Sequence, residues 1–202
     1  MTTKSRPIIM SSDSVRAILE NRKSQTRRVM KPQPPDDWYP SDRKINAYWH
    51  TPIHHGGEGA CPEKKPVFGV SNQYIGYKSP FGSPGDRLWV KETWSVDTRS
   101  MDACFYRANY SAYNKYLDVI DWKSPMFMLR KYSRLTLEIT NVRCERVQEI
   151  TLNDAWDEGY KTITDFKEAW DALNSKRKGC SWNDNPWVFV LEFKKIEGGD
   201  NE

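Results

Sequence analysis

The sequence predicts an α+β fold: a small mixed β-barrel, closed or half-closed, with flanking helices. Strand patterns outnumber helix patterns, and the elements run helix, strands, helices, strand, without the repeating β-α-β-α order of a doubly wound parallel sheet. The chain of 202 residues is long enough for one domain with a hydrophobic core. We therefore expect residues 1–196 to form a single domain and residues 197–202 to form a disordered tail.

The first predicted element is a helix that stops beside a cluster of basic residues. Residues 11–13 are Ser, Ser and Asp, which are all suitable N-caps. The apolar residues that follow recur at helical spacing: Val15, Ile18 and Leu19. We expect the helix to end near Arg22, so that residues 22–29, "RKSQTRRV", lie at its C-terminal end or just beyond it.

Two segments lack periodicity and are predicted to be irregular. Residues 31–83 are rich in Pro and Gly, as in "KPQPPDDWYP" and "KSPFGSPGD", and we expect a long insertion with short strands at most. Residues 107–130 form the second such segment. Between the two, "GDRLWVKETW" alternates apolar and charged residues after a Pro-Gly-Asp turn, and "DACFYRANY" shows a second short strand pattern.

The remaining strands are predicted in the second half of the chain. In "RLTLEIT" one face is apolar, formed by Leu135, Leu137 and Ile139, and the pattern continues through "VRCERVQEI". The last stretch, "PWVFVLEFKKI", is β-branched and aromatic and has polar residues only late. This composition indicates a central strand that is buried on both faces at its start.

Two helices are predicted between these strands. "TLNDAWDEG" begins with a pair that resembles a capping box, Thr151 and Asp154, and Gly159 is placed to end the helix. For the second helix, "DFKEAWDALNS", we expect Thr164 as the N-cap. Its predicted apolar face has three members: Phe166, Trp170 and Leu173.

Composition narrows the class of protein. The net charge is only +4 with 29% charged residues, so a nucleic-acid surface would need local clustering of cations. Aromatic residues make up 13% of the chain, which argues against disorder. Without a signal-peptide pattern or a run of 18 apolar residues, we expect a soluble, cytoplasmic protein with no membrane partner. The four cysteines form no C-x-x-C pair, and we expect thiols: Cys61, Cys104, Cys144 and Cys180.

The motifs of several enzyme classes are absent, among them the P-loop, the dinucleotide fingerprint, H-E-x-x-H and G-x-S-x-G. Three histidines and a cysteine within residues 50–61 would ligate zinc only if their loop folded back around the metal. No standard ligand spacing is met, so we interpret this cluster as a polar loop and expect no metal. Its members are His50, His54, His55 and Cys61.

The basic cluster behind the first helix has two interpretations. Lys23, Thr26, Arg27 and Arg28 form either a solvated cationic helix end or a convergent site. Lys23 and Thr26 are three positions apart and would share one face if the helix extended that far. A lysine desolvated in a pocket can act as a base for a neighbouring hydroxyl when a carboxylate orients it. Spacing leaves three carboxylates open for that role: Asp154, Asp157 and Glu158.

Four segments resemble the ASCH domain, a PUA-like β-barrel superfamily associated with RNA. They are "ILENRKSQTRRV", "PGDRLWVKETW", "RLTLEITNVRCERVQEITLNDAWDEG" and "WVFVLEFKKI", in the order of the family. The first is similar to the family signature, an apolar helix followed by a small or polar residue, a basic residue, Lys, two variable positions, Thr and then Arg. The resemblance implies the PUA-like ASCH fold, in the longer form often encoded by phages and prophages.

The resemblance also implies an activity. Some small bacterial ASCH proteins are similar to this chain around the same site and are amidohydrolases that remove the acetyl group from N4-acetylcytidine. By motif position, Lys23, Thr26 and Glu158 are then the catalytic residues, with no cofactor. In that scheme Lys23 takes a proton from Thr26 or water, Glu158 orients Lys23 and protonates the leaving amine, and Arg28 or a backbone N–H stabilises the oxyanion. Those amidohydrolases are much shorter and lack residues 31–83.

Other functions use the same residues differently. A cationic cleft can bind a modified nucleoside or RNA through Arg22, Arg27 and Arg28, with Trp89 as a stacking candidate. A ribonuclease would hold its scissile phosphate there, but no pair of histidines suited to acid–base catalysis is evident. In a structural or counter-defence protein of a phage, the basic cluster would be an ordinary solvent-exposed surface that binds no ligand. We rank the N4-acylcytidine amidohydrolase first and non-catalytic binding second.

Overall fold

The structure is a computed structural model that describes residues 3–34, 69–71, 76–96, 104–111 and 119–196. Within these ranges the chain forms nine strands and three α-helices. The strands are β1 Ser5–Ile9, β2 Gln25–Val29, β3 Gly69–Ser71, β4 Gly76–Lys78, β5 Arg87–Lys91, β6 Trp94–Val96, β7 Cys104–Tyr106, β8 Thr136–Arg146 and β9 Trp187–Ile196. The helices are α1 Ser12–Leu19, α2 Leu152–Asp157 and α3 Ile163–Asn174. The predicted tail and most of the predicted insertion lie outside the described residues.

Five strands form the main sheet in the order β1-β5-β8-β9-β2. β1 and β5 are parallel, and every other neighbouring pair is antiparallel. Across the described ranges the two edge strands, β1 and β2, do not pair with each other, so the sheet is open. The predicted mixture of helices with a mostly β core is confirmed, but the predicted closure into a barrel is wrong. Alternation of residues predicts where strands lie, and it carries no information on whether the end strands meet.

The sheet separates two hydrophobic cores, and β9 contributes to both. Phe189, Leu191 and Phe193 face the first core, which contains Val15 and Ile18 of α1. Val188 and Val190 face the second core, which lies under α2 and α3. The prediction of a strand buried on both faces at its start is thereby confirmed. Burying each such side chain contributes roughly 1.5–3 kcal/mol to folding.

Helices α2 and α3 begin with capping boxes. The Thr151 and Asp154 pair predicted for α2 is present. In α3 the N-cap is Thr162 rather than the predicted Thr164, because the Thr162 hydroxyl accepts from the Asp165 N–H and the Asp165 carboxylate accepts from Thr162. The buried stripe of α3 follows a spacing of four residues: Phe166, Trp170 and Asn174. The predicted third member, Leu173, is 67% exposed.

Helix α1 ends earlier than predicted. Asn21 adopts a positive φ of 56°, and its N–H donates to the carbonyl of Ile18. The N–H of Arg22 donates to the carbonyl of Ala17 at 2.8 Å, which completes a Schellman motif. The chain therefore leaves the helix before Lys23, and the predicted shared helical face of Lys23 and Thr26 does not form.

Two further predictions can be compared with the described residues. No helix among them has the length and apolar content that a membrane span requires. Three of the cysteines are free thiols, as predicted: Cys104, Cys144 and Cys180. Cys61 lies outside the described ranges. The second irregular segment, where described, holds short 3-10 helices such as Arg107–Asn109 and Pro125–Phe127.

Candidate active site

A cavity of about 460 Å³ lies beside the edge strand β2. Its walls come from β2, the residues around the start of α1, the end of α2 and one side of α3. This volume is within the range of small-molecule sites, roughly 300–1,000 Å³. The polar and charged side chains that line it include Lys23, Thr26, Arg27, Arg28, Glu158 and Tyr160.

Lys23 and Glu158 form a buried ion pair at this cavity. The distance from Lys23 Nζ to Glu158 Oε2 is 2.5 Å, and Nζ also donates to the backbone oxygen of Glu158 at 2.8 Å. The two side chains are only 2% and 4% exposed. Burial lowers the pKa of Lys23, while the charge of Glu158 opposes that shift. Lys23 therefore loses its proton more readily than an exposed lysine does.

The ends of two helices hold this pair in place. Glu158 is the C-cap of α2, and Gly159 follows it with a φ of +89°. The N–H groups of Gly159 and Tyr160 donate to carbonyls of the last turn of α2, which forms a second Schellman motif. The N–H of Ser24 donates to the Asp157 carbonyl at 2.8 Å. Backbone hydrogen bonds therefore fix both the loop that carries Lys23 and the helix end that carries Glu158.

Thr26 is a strand residue that lines the same cavity. It pairs with Leu191 of β9, and Arg28 pairs with Phe189. Both partners face the first core, so Thr26 and Arg28 share one face of β2, while Arg27 is on the other. The Thr26 hydroxyl makes no hydrogen bond within the described part of the chain. It is therefore available to a ligand in the cavity.

Arg27, predicted to contact a ligand, has a fully buried guanidinium that is bound by carboxylates. Its Nη2 lies 2.6 Å from Glu145 and 3.4 Å from Asp154, and its Nη1 donates to Gln25 at 2.6 Å. Nη1 also lies 3.4 Å from Glu158 Oε1. The guanidinium is thus occupied within the protein, and it contacts the carboxylate oxygen of Glu158 that Lys23 does not use.

The other predicted ligand-binding residues are in three different places. Arg28 lines the cavity, where its Nη2 donates to the Ile9 carbonyl at 2.6 Å. Arg22 is hydrogen-bonded to Glu20 and borders a smaller cavity of about 140 Å³ that also reaches Glu158. Trp89 is on β5, and its ring centroid lies 5.5 Å from Lys91 Nζ. It does not line the larger cavity.

Sequence reasoning missed several residues of the cavity wall. Tyr160 follows Glu158 by two positions, and burial raises the pKa of its hydroxyl. One face of α3 and the turn after it supply others: Phe166, Trp170, Asn174 and Arg177. For Phe166, Trp170 and Asn174, the four-residue spacing in the sequence indicates a shared face of α3. Arg177, beyond the helix end, gave no such signal.

No metal site is found where the structure allows a search. No three His, Cys, Asp or Glu residues in the described ranges are grouped closely enough to hold a metal ion. The cluster of His50, His54, His55 and Cys61 lies outside those ranges.

Comparison with known proteins gives little further constraint. No family model matches the sequence, and no curated protein matches it. Among solved structures, the chain is similar to protein EF3133 from Enterococcus faecalis V583, described as DUF984, with 8% identity and a TM-score of 0.40 over 100% of this chain and 86% of that one. A likeness at this level assigns neither fold nor function. The resemblance to the ASCH domain therefore rests on the sequence motifs.

Proposed function

We propose that the protein is an amidohydrolase that removes an N4-acyl group, such as acetyl, from a cytidine base. One observation carries the proposal. Lys23 and Glu158 form a buried pair at 2.5 Å, and it faces a cavity that the Thr26 hydroxyl also lines. A base, an acid and a hydroxyl without a protein partner are the groups that amide hydrolysis requires.

The reaction begins with proton transfer inside the pair. The proton on Lys23 Nζ passes to Glu158 Oε2, which leaves a neutral amine and a carboxylic acid. Burial favours the neutral form of Lys23, in agreement with its lowered pKa. The neutral amine then takes a proton from the Thr26 hydroxyl or from water, and the resulting oxygen nucleophile attacks the amide carbonyl.

The carbon–nitrogen bond then breaks. Glu158 gives its proton to N4, and cytidine leaves as the neutral amine. If water is the attacking group, the acyl group leaves as a carboxylic acid, which then loses its proton to solvent. If Thr26 is the attacking group, water hydrolyses the acyl ester on Thr26 with the same pair as base and acid. Arg27 holds the second oxygen of Glu158, which keeps Oε2 directed to Lys23.

The proposal is tested by incubating the protein with N4-acetylcytidine and measuring released cytidine by chromatography. Lys23→Arg keeps the charge, but its guanidinium cannot lose a proton, so we expect kcat to fall by about 10²–10⁴-fold. The kcat of Glu158→Gln should be lower than that of wild type by a similar factor. Lys167→Arg, at an exposed position of α3, is the matched control and should keep full activity. Full activity of Lys23→Arg would contradict the proposal.

Non-catalytic binding of a modified nucleoside is the second candidate. It is favoured by the hydrogen bond from Lys23 Nζ to the backbone oxygen of Glu158, which a purely structural lysine at a helix end would also make. In that case neither the wild type nor any variant would release cytidine. N4-acetylcytidine would still raise the Tm of the wild type, because a ligand that binds only the native state stabilises it.

A further inference from the structure

The larger cavity is lined by more cationic than acidic side chains. Among its described wall residues, Glu158 is the one acidic side chain, and four are cationic: Lys23, Arg27, Arg28 and Arg177. Lys23 and Arg27 are paired with carboxylates. Neither Arg28 nor Arg177 forms an ion pair with any residue in the described ranges. Among the described residues, these two guanidinium groups therefore have no carboxylate within ion-pair distance.

Arg28 is also incompletely hydrogen-bonded. Its Nη2 donates to the Ile9 carbonyl and lies 3.1 Å from Met10 Sδ. Its Nε is buried and has no hydrogen-bond partner within the described part of the protein. Buried guanidinium donors normally bind carboxylate or phosphate oxygens, because a desolvated charge without a partner is costly. Arg28 thus has a buried donor, Nε, that is available to bind an anion.

Arg177 adds a second cation to the same wall. It follows α3, and its Nη1 lies 3.4 Å from Asn174 Oδ1. Burial lowers the pKa of Arg28, the negative charge of Glu158 opposes that shift, and the positive charge of Arg177 adds to it. Two like charges that interact in this way repel each other unless an anion lies between them. Arg177 is exposed, so its side chain is free to close on such an anion.

The start of α1 is compatible with an anion at this wall. Ser11, its N-cap, and Ser14 both line the cavity, and the N-terminal end of a helix carries partial positive charge. Asp13, the acidic residue of that first turn, is paired with Arg16 at 3.0 Å and lines only the smaller cavity. Asp13 therefore does not offset the charge of the two arginines at this wall.

We propose that Arg28 and Arg177 form a phosphate subsite, so that the protein acts on an N4-acylcytidine 5′-monophosphate rather than on the free nucleoside. This inference rests on the proposed function. A phosphate monoester carries about −1.5 to −2 charges at pH 7, which two guanidinium groups match, whereas an internal phosphodiester carries a single charge. The charge balance thus favours a mononucleotide over RNA.

The test compares N4-acetylcytidine with its 5′-monophosphate as substrates. We expect the wild type to show a kcat/KM at least tenfold higher for the monophosphate, mainly through a lower KM. Arg177→Gln should lose this preference, because its KM for the monophosphate rises toward its KM for the nucleoside. Lys176→Gln removes the same charge one position away, where the side chain does not line the cavity, and should keep the preference. Equal kcat/KM for the two substrates, or a preference that survives Arg177→Gln, would overturn the proposal, as would an oligonucleotide that outperforms the monophosphate.

A binding measurement separates this inference from the proposed function. Calorimetry with cytidine 5′-monophosphate and cytidine does not depend on catalysis. If no amide is hydrolysed but the monophosphate binds at least tenfold more tightly, and Arg177→Gln removes the difference, the subsite is supported and the amidohydrolase proposal fails. If both acetylated substrates are hydrolysed equally, the amidohydrolase proposal stands and the subsite is overturned.

Discussion

At the scale of single residues, burying a lysine costs free energy that a close counter-charge must offset. For Lys23 this counter-charge is the carboxylate of Glu158. Lys23 also donates a hydrogen bond to the backbone oxygen of Glu158. Glu158 in turn has Lys23 on one oxygen and Arg27 on the other. Removing either partner of the pair leaves an incompletely compensated charge inside the protein. The same desolvation is what lowers the pKa of Lys23, so the cost in stability and the proposed chemistry have one origin.

We predict that Lys23→Met lowers the free energy of unfolding by about 3–5 kcal/mol, as measured by urea denaturation. The double variant with Glu158→Leu should lose less than the sum of the two single variants, because it removes both charges together. The exposed pair of Arg22 and Glu20 provides the control, and Arg22→Met should cost at most about 1 kcal/mol. Equal losses at the buried and exposed pairs would contradict this prediction.

At the scale of elements, the site depends on two helices that end against each other. Asn21 ends α1 and Gly159 ends α2, each with a positive φ. A Cβ atom placed on Gly159 would lie 3.1 Å from the Cβ of Ala17 and 3.5 Å from that of Lys23. A Cβ atom at Gly159 would therefore force Ala17 to shift by a few tenths of an ångström.

We predict that Gly159→Ala destabilises the protein and lowers activity on N4-acetylcytidine. Gly85→Ala is the matched control, because Gly85 has nearly the same φ, +88°, and open space around it. Both variants should pay about 1–2 kcal/mol for the positive φ. Gly159→Ala should lose at least 1 kcal/mol more in urea denaturation, within the usual cost of overpacking, roughly 1–3 kcal/mol. Similar losses in both variants would mean that the contact with Ala17 is relieved without strain.

The sequence predicted these elements better than it predicted their boundaries. The alternation in "RLTLEIT" and the Thr151 capping box gave β8 and α2 because both signals are local. The early end of α1 was missed because Asn in a left-handed conformation is less common there than Gly. The nearness of Lys23 to Glu158, 135 positions apart, came from family resemblance, since no local pattern encodes it. Arg177 was missed for the same reason.

At the scale of the whole molecule, a network of charged side chains ties the sheet to α2. Arg27 of β2 and Arg143 of β8 both contact Glu145 and Asp154, and Arg143 also contacts Glu192 of β9. β2 is an edge strand with one neighbour in the main sheet, so these contacts add to the hydrogen bonds that it makes with β9. The network therefore joins three strands and a helix directly behind the site.

Acid should weaken this network through Asp154. Burial alone would raise the pKa of Asp154, but hydrogen bonds from Thr151 and the charges of Arg27 and Arg143 outweigh it and hold the pKa well below its ordinary value. Its contribution to stability is thus present above the ordinary carboxylate pKa and is lost as the pH falls through the lower native value. We predict that the free energy of unfolding drops more between pH 7 and pH 2 in wild type than in Asp154→Asn. Asp13→Asn, at a carboxylate that is 87% exposed, should follow wild type.

The alternation of β2 has a consequence for how this protein evolves. Thr26 and Arg28 are on one face of the strand, whereas Arg27 on the other face belongs to the charge network. Replacing Arg28 leaves that network intact, whereas replacing Arg27 removes its contacts with Glu145 and Asp154. Variation among descendants of this chain should accordingly be greater at position 28 than at position 27.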